Sequence, residues 1–209
     1  MNEGSNYPET STLAEAAKMK AMEADMSYAD HAAYVDKMNA TIKARHGVSD
    51  RACGECTACC TVMAVVELNK TVDQRCEHIC DGGGCAIYDT RPRMCRSWSC
   101  SWLLGRIEGD ERWRPDKLGL LFNRERLAGK PITVAYEVWL GAAKESANEY
   151  LLRKMSQDIP IVLREYPSRK CNVLTPDPEK WQLITQLIQI HWCPTEYIQI
   201  LVTNFPSMQ

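Results

Sequence analysis

Nine of the chain's eleven cysteines fall in the 48 residues from Cys53 to Cys100, and no other feature restricts the fold so strongly. Only Cys171 and Cys193 lie outside that window, and they read as ordinary small core residues. That explanation fails for the nine, whose surroundings are polar and glycine-rich rather than apolar. The total is odd, so complete disulfide pairing would leave one cysteine over. The opening Met1-Asn2-Glu3-Gly4 begins no basic stretch followed by an apolar one, so no export signal is visible. A cytoplasmic location is therefore expected, where thiols serve more often as ligands or catalysts than as disulfides.

The first half of the cluster is Cys53-Gly-Glu-Cys56-Thr-Ala-Cys59-Cys60. A C-x-x-C turn brings two thiolates together with backbone amides free to bond the sulfurs, and a third cysteine three residues on stays on the same side. Three thiolates at this spacing suit a zinc centre or an iron–sulfur cluster. The neighbours Cys59 and Cys60 are expected to diverge, which implies two metals, or one metal beside a reactive or packed thiol. The second half runs Cys76-Glu-His78-Ile-Cys80-Asp-Gly-Gly-Gly-Cys85, then continues through Tyr88, Arg91 and Pro92 to Cys95, Arg96 and Cys100. Glycines 82–84 let backbone pass close to a metal or substrate. His78 is a candidate nitrogen ligand, whereas His31, His46 and His191 read as capping, surface or core residues. Arginines 51, 75, 91, 93 and 96 accompany the thiols. Four thiolates on a divalent ion leave a net negative charge, and Arg91 and Arg96 are placed to offset it.

Outside the cluster the pattern is that of an α+β protein. Thr12-Leu-Ala-Glu15 reads as a capping box, Met19, Met22 and Met26 share a helix face, and a second helix start stands at Ser27. Lys43, Arg45, His46 and Gly47 make a helix end, so residues 1–47 form an N-terminal helical extension. Residues 48–120 form a metal-organised domain of loops and short elements, with 62–66 a strand or buried turn between the two halves of the cluster. Residues 121–209 form an α+β portion packing on it. Strands are expected at 118–122, 131–139, 159–166 and 169–174, and helices at 143–157 and 178–192. A formal charge of −2 gives no strong nucleic-acid signal, and no apolar run nears the roughly 18 residues that cross a membrane. Glu108, Asp110 and Glu111 read as a solvated turn, and no Ser–His–Asp set or carboxylate pair stands out.

The combined spacing, with Val66-Glu67-Leu68, Trp102-Leu103 and Arg114-Pro115-Asp116 flanking it, resembles the YkgJ-type cysteine-cluster family, also called the CxxCxxCC family. The resemblance covers about residues 50–120 and implies a zinc- or iron-chelating domain. Its eight core cysteines map onto Cys53, Cys56, Cys59, Cys60, Cys76, Cys85, Cys95 and Cys100, with Cys80 an addition found in part of the family. A related arrangement in the flagellin lysine N-methylases resembles an iron–sulfur site, although no glycine-rich nucleotide loop follows a strand here. The expected function is a metal-binding module, with zinc first and iron or an iron–sulfur cluster as the alternative, presenting a surface to a protein partner. A metalloenzyme modifying protein side chains, with Tyr88 or Arg96 lining an open site near 82–84, and metal storage or delivery are the other two classes.

Overall fold

The structure, a computed structural model, describes residues 25–127, 130–168, 170–179, 182 and 198–202. The chain is α+β and divides into two units at Arg114 and Pro115. The capping box at 12–15, the methionines 19 and 22 and most of the helix expected at 178–192 lie outside the described residues.

Ser27 starts the first helix, α1 (Tyr28–Arg45), by accepting the Asp30 amide on its hydroxyl at 3.1 Å. Asp30 in the first turn and Lys43 and Arg45 in the last both suit the helix dipole. Gly47, at φ +67°, then turns the chain. Only His31 and Val35 of α1 are buried, so the helix is held along a narrow stripe. The Tyr28 hydroxyl donates to the Arg91 carbonyl at 2.6 Å, and the His31 Nε2 meets the Ser97 hydroxyl at 3.0 Å. Asp36 pairs with Arg96 at 2.9 Å, and the Asn39 amide reaches the Ser99 hydroxyl at 3.1 Å. Residues three to five apart on one helix face thus fasten α1 along 91–99, the stretch that carries Cys95.

Two short helices follow, α2 (Ala58–Val62) and α3 (Arg93–Ser97). Between them, Val65 and Lys70 pair as an antiparallel bridge around a 3₁₀ turn at Val66–Leu68, and Ile79 pairs with Cys85. The expected strand or turn at 62–66 is therefore a helix end running into a bridge. Lys43, Arg51, Lys70, Arg91, Arg93 and Arg96 each donate to backbone carbonyls of this unit, Arg91 to that of nearby Tyr88. Arg51 alone binds the carbonyls of Trp102, Ile107 and Gly109 while lying over the Trp102 ring.

The second unit opens with α4 (Pro115–Leu118) and is built on a five-stranded mixed sheet in chain order. Gly119, at φ +77°, forms the corner before β1, and a Cβ there would lie 2.5 Å from the Trp139 ring. β1 (Leu120–Leu127) and β2 (Lys130–Glu137) form an antiparallel hairpin. The chain then crosses through α5 (Ser146–Met155) to β3 (Ile161–Arg164), parallel to β2. β4 (Cys171–Thr175) is antiparallel to β3, and β5 (Ile198–Val202) is parallel to β4. Ile132, Val134, Val162, Cys171 and Val173 form one core cluster with Tyr136 against it. The buried Glu137 carboxylate accepts the Ala143 and Tyr166 amides, each at 2.9 Å. Cys171 is buried as expected, but its sulfur is in a disulfide rather than a free thiol. Cys193 lies outside the described residues.

Buried apolar side chains are unevenly shared. Among the described residues the second unit has sixteen, whereas the first has eight: Val35, Ala58, Val62, Val65, Cys76, Trp102, Leu104 and Ile107. The first unit has more described residues, so hydrocarbon burial contributes less per residue there than in the second unit. No helix among the described residues is long and apolar enough to cross a membrane.

Candidate metal centre

The C-x-x-C turn is closed by the Cys56 amide on the Cys53 carbonyl at 2.9 Å, with Gly54 at φ +53°. The next residues enter α2, which places Cys59 and Cys60 in its first turn. The second half is tied back to this frame through the backbone. The Cys76 amide donates to the Cys60 carbonyl at 3.0 Å, and the Gly84 amide to the Glu55 carbonyl at 3.0 Å. A Cβ on Gly83 would stand 2.7 Å from the Glu55 carbonyl oxygen. Gly83 and Gly84 thus let the C-x-x-C turn itself approach closely, whereas a Cβ on Gly82 would meet nothing within 4 Å.

All nine cysteines of the window are free thiols. Cys80 is exposed, whereas the other eight are buried or half-buried. Those eight lie in one another's electrostatic fields. Cys59 feels Cys60, Cys53 and Cys100, and Cys100 feels Cys53 and Cys56. Cys85 feels Cys60 and Cys76, and Cys95 feels Cys60, Cys76 and Cys85. Burial, reinforced by this mutual repulsion, pushes Cys95 up to about 11 and Cys100 up to about 12. The Cys100 sulfur also accepts the Leu103 amide at 3.4 Å. Burial lifts Cys53 as well, against the Tyr88 hydroxyl that donates to its sulfur from 3.9 Å.

Cys59 and Cys60 do not diverge, as adjacent side chains on a turn were expected to. The Cys59 thiol is hydrogen-bonded to Cys60, which drives Cys59 well above the ordinary thiol range and lowers Cys60 to about 7. Lys70 and Arg91 reinforce that lowering. Lys70 is a participant that the sequence pattern did not mark. Its buried ammonium donates to the Thr61, Met63 and Thr71 carbonyls and lies in the field of Cys76, Cys60 and Cys59. A single lysine after a short apolar stretch carries no signal of this, because its depth depends on the Val65–Lys70 bridge.

Of the two arginines placed at the sulfurs, Arg91 is there, stacked 3.9 Å over the Tyr88 ring and acting on Cys53, Cys60 and Cys85. Arg96 is not. Its guanidinium is buried and bonded to the Asp36 carboxylate and, at 2.6 Å, to the Asp89 carbonyl, so it fastens α1 instead. His78 faces the Glu77 carboxylate at 3.7 Å. Asp110 and Arg112 pair on the surface, in keeping with a solvated turn.

Among the described residues, no three His, Cys, Asp or Glu side chains are gathered as they stand into a metal-holding group. The donor chemistry nonetheless fits a soft or borderline metal, with eight neighbouring thiols and two cations beside Cys60. Comparison with protein-family models, curated proteins and solved structures finds no match.

Proposed function

We propose that the first unit is a thiolate metal-binding module, with zinc as its metal and iron or an iron–sulfur cluster as the alternative. The observation that carries this is the crowding of eight free thiols, five of them held above the ordinary range by burial and by one another. Ionised together without a cation, such thiols repel. A divalent metal turns that repulsion into coordination and releases their protons. The scarcity of buried apolar side chains in this unit points the same way, since metal coordination supplies folding energy that a small core lacks. On this reading Cys53, Cys56, Cys59, Cys60, Cys76, Cys85, Cys95 and Cys100 are the ligands.

The resemblance to the CxxCxxCC family supports the same function. A closed thiolate site fits a module that presents its surface to a protein partner. Elemental analysis and a visible spectrum of anaerobically purified protein test this. Colourless protein with stoichiometric zinc supports the zinc form, and brown protein with iron and sulfide supports the alternative. Protein that retains neither metal, and takes up none after reduction, refutes the function.

A further inference from the structure

The Cys100 and Cys53 sulfurs both accept hydrogen bonds, from donors of different kinds. The Leu103 amide, on Cys100 at 3.4 Å, is backbone and follows three residues after the cysteine it serves. The Tyr88 hydroxyl, on Cys53 at 3.9 Å, is a side chain that crosses from the second half of the cluster to the first. The surroundings of Tyr88 hold it there. Its amide closes a turn on the Cys85 carbonyl at 3.2 Å. The Arg91 guanidinium stacks 3.9 Å over the ring and donates to the Tyr88 carbonyl. The Arg91 carbonyl in turn accepts the Tyr28 hydroxyl of α1 at 2.6 Å. The Tyr88 residue is 42% exposed, so hydrocarbon burial is a weak reason for this arrangement. The hydroxyl on sulfur is a better one.

We propose that Tyr88 is a positioning residue of the metal centre, its hydroxyl holding the Cys53 sulfur as a metal-bound thiolate while bringing no ligand of its own. This rests on the metal-binding function proposed above and adds an outer residue to it. A phenol is a donor at neutral pH, since its proton leaves only near pH 10. A ligating cysteine must be deprotonated, which makes its sulfur a charged acceptor. The 3.9 Å contact is long for a neutral thiol, and a charged acceptor makes such a bond shorter and stronger. The bond then orients the sulfur and offsets part of the charge that several thiolates leave on a divalent ion. Arg91 grips the ring by its face, which leaves the hydroxyl to the sulfur. The Tyr28 hydroxyl is taken up by a backbone carbonyl instead, so it serves as the comparison.

The test compares full-length Tyr88→Phe, which keeps the ring under Arg91 and loses the hydroxyl, with the unaltered protein and with Tyr28→Phe. Each is reduced, freed of metal and titrated anaerobically, with zinc against a competing chelator and with cobalt(II) by absorption. Circular dichroism checks that the folds match. Tyr88→Phe should bind zinc about 10-fold more weakly, the lower end of what loss of an outer-shell partner costs. Its thiolate-to-cobalt charge-transfer band should move to lower energy, because a sulfur without the donor gives up its electron more easily. Tyr28→Phe should match the unaltered protein in both. Tyr88→Phe with unchanged affinity, or with an unmoved cobalt band, overturns the role of Tyr88 and leaves metal binding standing. So does an equal change in Tyr28→Phe, which would make the effect one of loop structure rather than of sulfur. Unaltered protein that takes up neither metal overturns the proposed function and this role with it.

Discussion

Cys60 is predicted to be the most nucleophilic thiol of the reduced, metal-depleted protein near neutral pH. With its ionisation lowered to about 7, the Cys60 thiol is about half thiolate at pH 7. A thiol at the ordinary 9.0 is about 1% thiolate there, so the thiolate fraction differs ~50-fold. Nucleophilicity falls with basicity at a Brønsted coefficient of about 0.4–0.5, which costs about 8-fold over two units. The net advantage is about 6-fold before access is considered. Cys60 is half-buried, so the pH profile is a better measure than the absolute rate. Alkylation with a small neutral iodoacetamide, quenched at timed points and mapped by mass spectrometry, should give Cys60 a midpoint near the value worked above. Cys95 and Cys100 should stay almost unmodified at pH 7. Cys59→Ala removes the hydrogen bond that is the largest cause of the lowering, so it should move the Cys60 midpoint upward. A Cys60 midpoint in the ordinary thiol range, or one indifferent to Cys59→Ala, refutes the assignment.

The metal-depleted protein should lose stability above about pH 9, read as a falling denaturation midpoint, because thiols held above 9.0 stabilise the fold below their unfolded value and release that stabilisation as pH rises through the folded one. Cys60 has the opposite sign, its contribution being full above 9.0 and lost as pH falls through about 7, and it is outnumbered by the five raised thiols. Asp36→Ala takes the counter-ion from buried Arg96 and should cost about 1–2 kcal/mol, below the full buried-pair figure because Asp36 itself is largely solvated. It should also speed alkylation of Cys95, and an unchanged rate would mean that α1 does not hold that segment. Glu137→Ala strands two backbone amides in the second unit and should cost about 2–4 kcal/mol by denaturant titration, with metal content unchanged because neither amide belongs to the thiol cluster. Gly83→Ala should weaken the closure of the C-x-x-C turn and lower metal retention on dialysis against a chelator, since a Cβ at φ +88° would press on the Glu55 carbonyl.

What was legible in the sequence was the part governed by short-range rules. The Ser27 start and Gly47 end of α1 are capping chemistry, and the β-branched run in β2 is strand chemistry, so both stand where the pattern puts them. The thiols were legible by number and spacing, yet their grouping was not. The approach of Cys100 to Cys53 and Cys59 depends on chain returning from forty residues away. Charged residues misled for the same reason. Proximity in sequence suggested that Arg91 and Arg96 serve the sulfurs together, but Arg96 sits against the middle of α1, where Asp36 claims it.

The arginines and lysines of the first unit show how so sparse a core holds its shape. A guanidinium or ammonium that spans several carbonyls fixes loops that lack ladder partners, and each such bond is a charge-assisted one. These staples fix backbone, not sulfur. They bring the cysteine-bearing loops to the right neighbourhood and leave the thiols to be drawn in by whatever binds them. Polar staples for the loops and a small apolar floor of Ala58, Val62, Trp102 and Leu104 make a frame suited to coordination rather than to hydrocarbon packing. Removing the metal should therefore loosen the thiol loops while α1 and its latch to 91–99 persist. Amide hydrogen exchange resolves this. Fast exchange confined to 53–90 in chelated protein supports the division of labour, and equal acceleration across α1 refutes it.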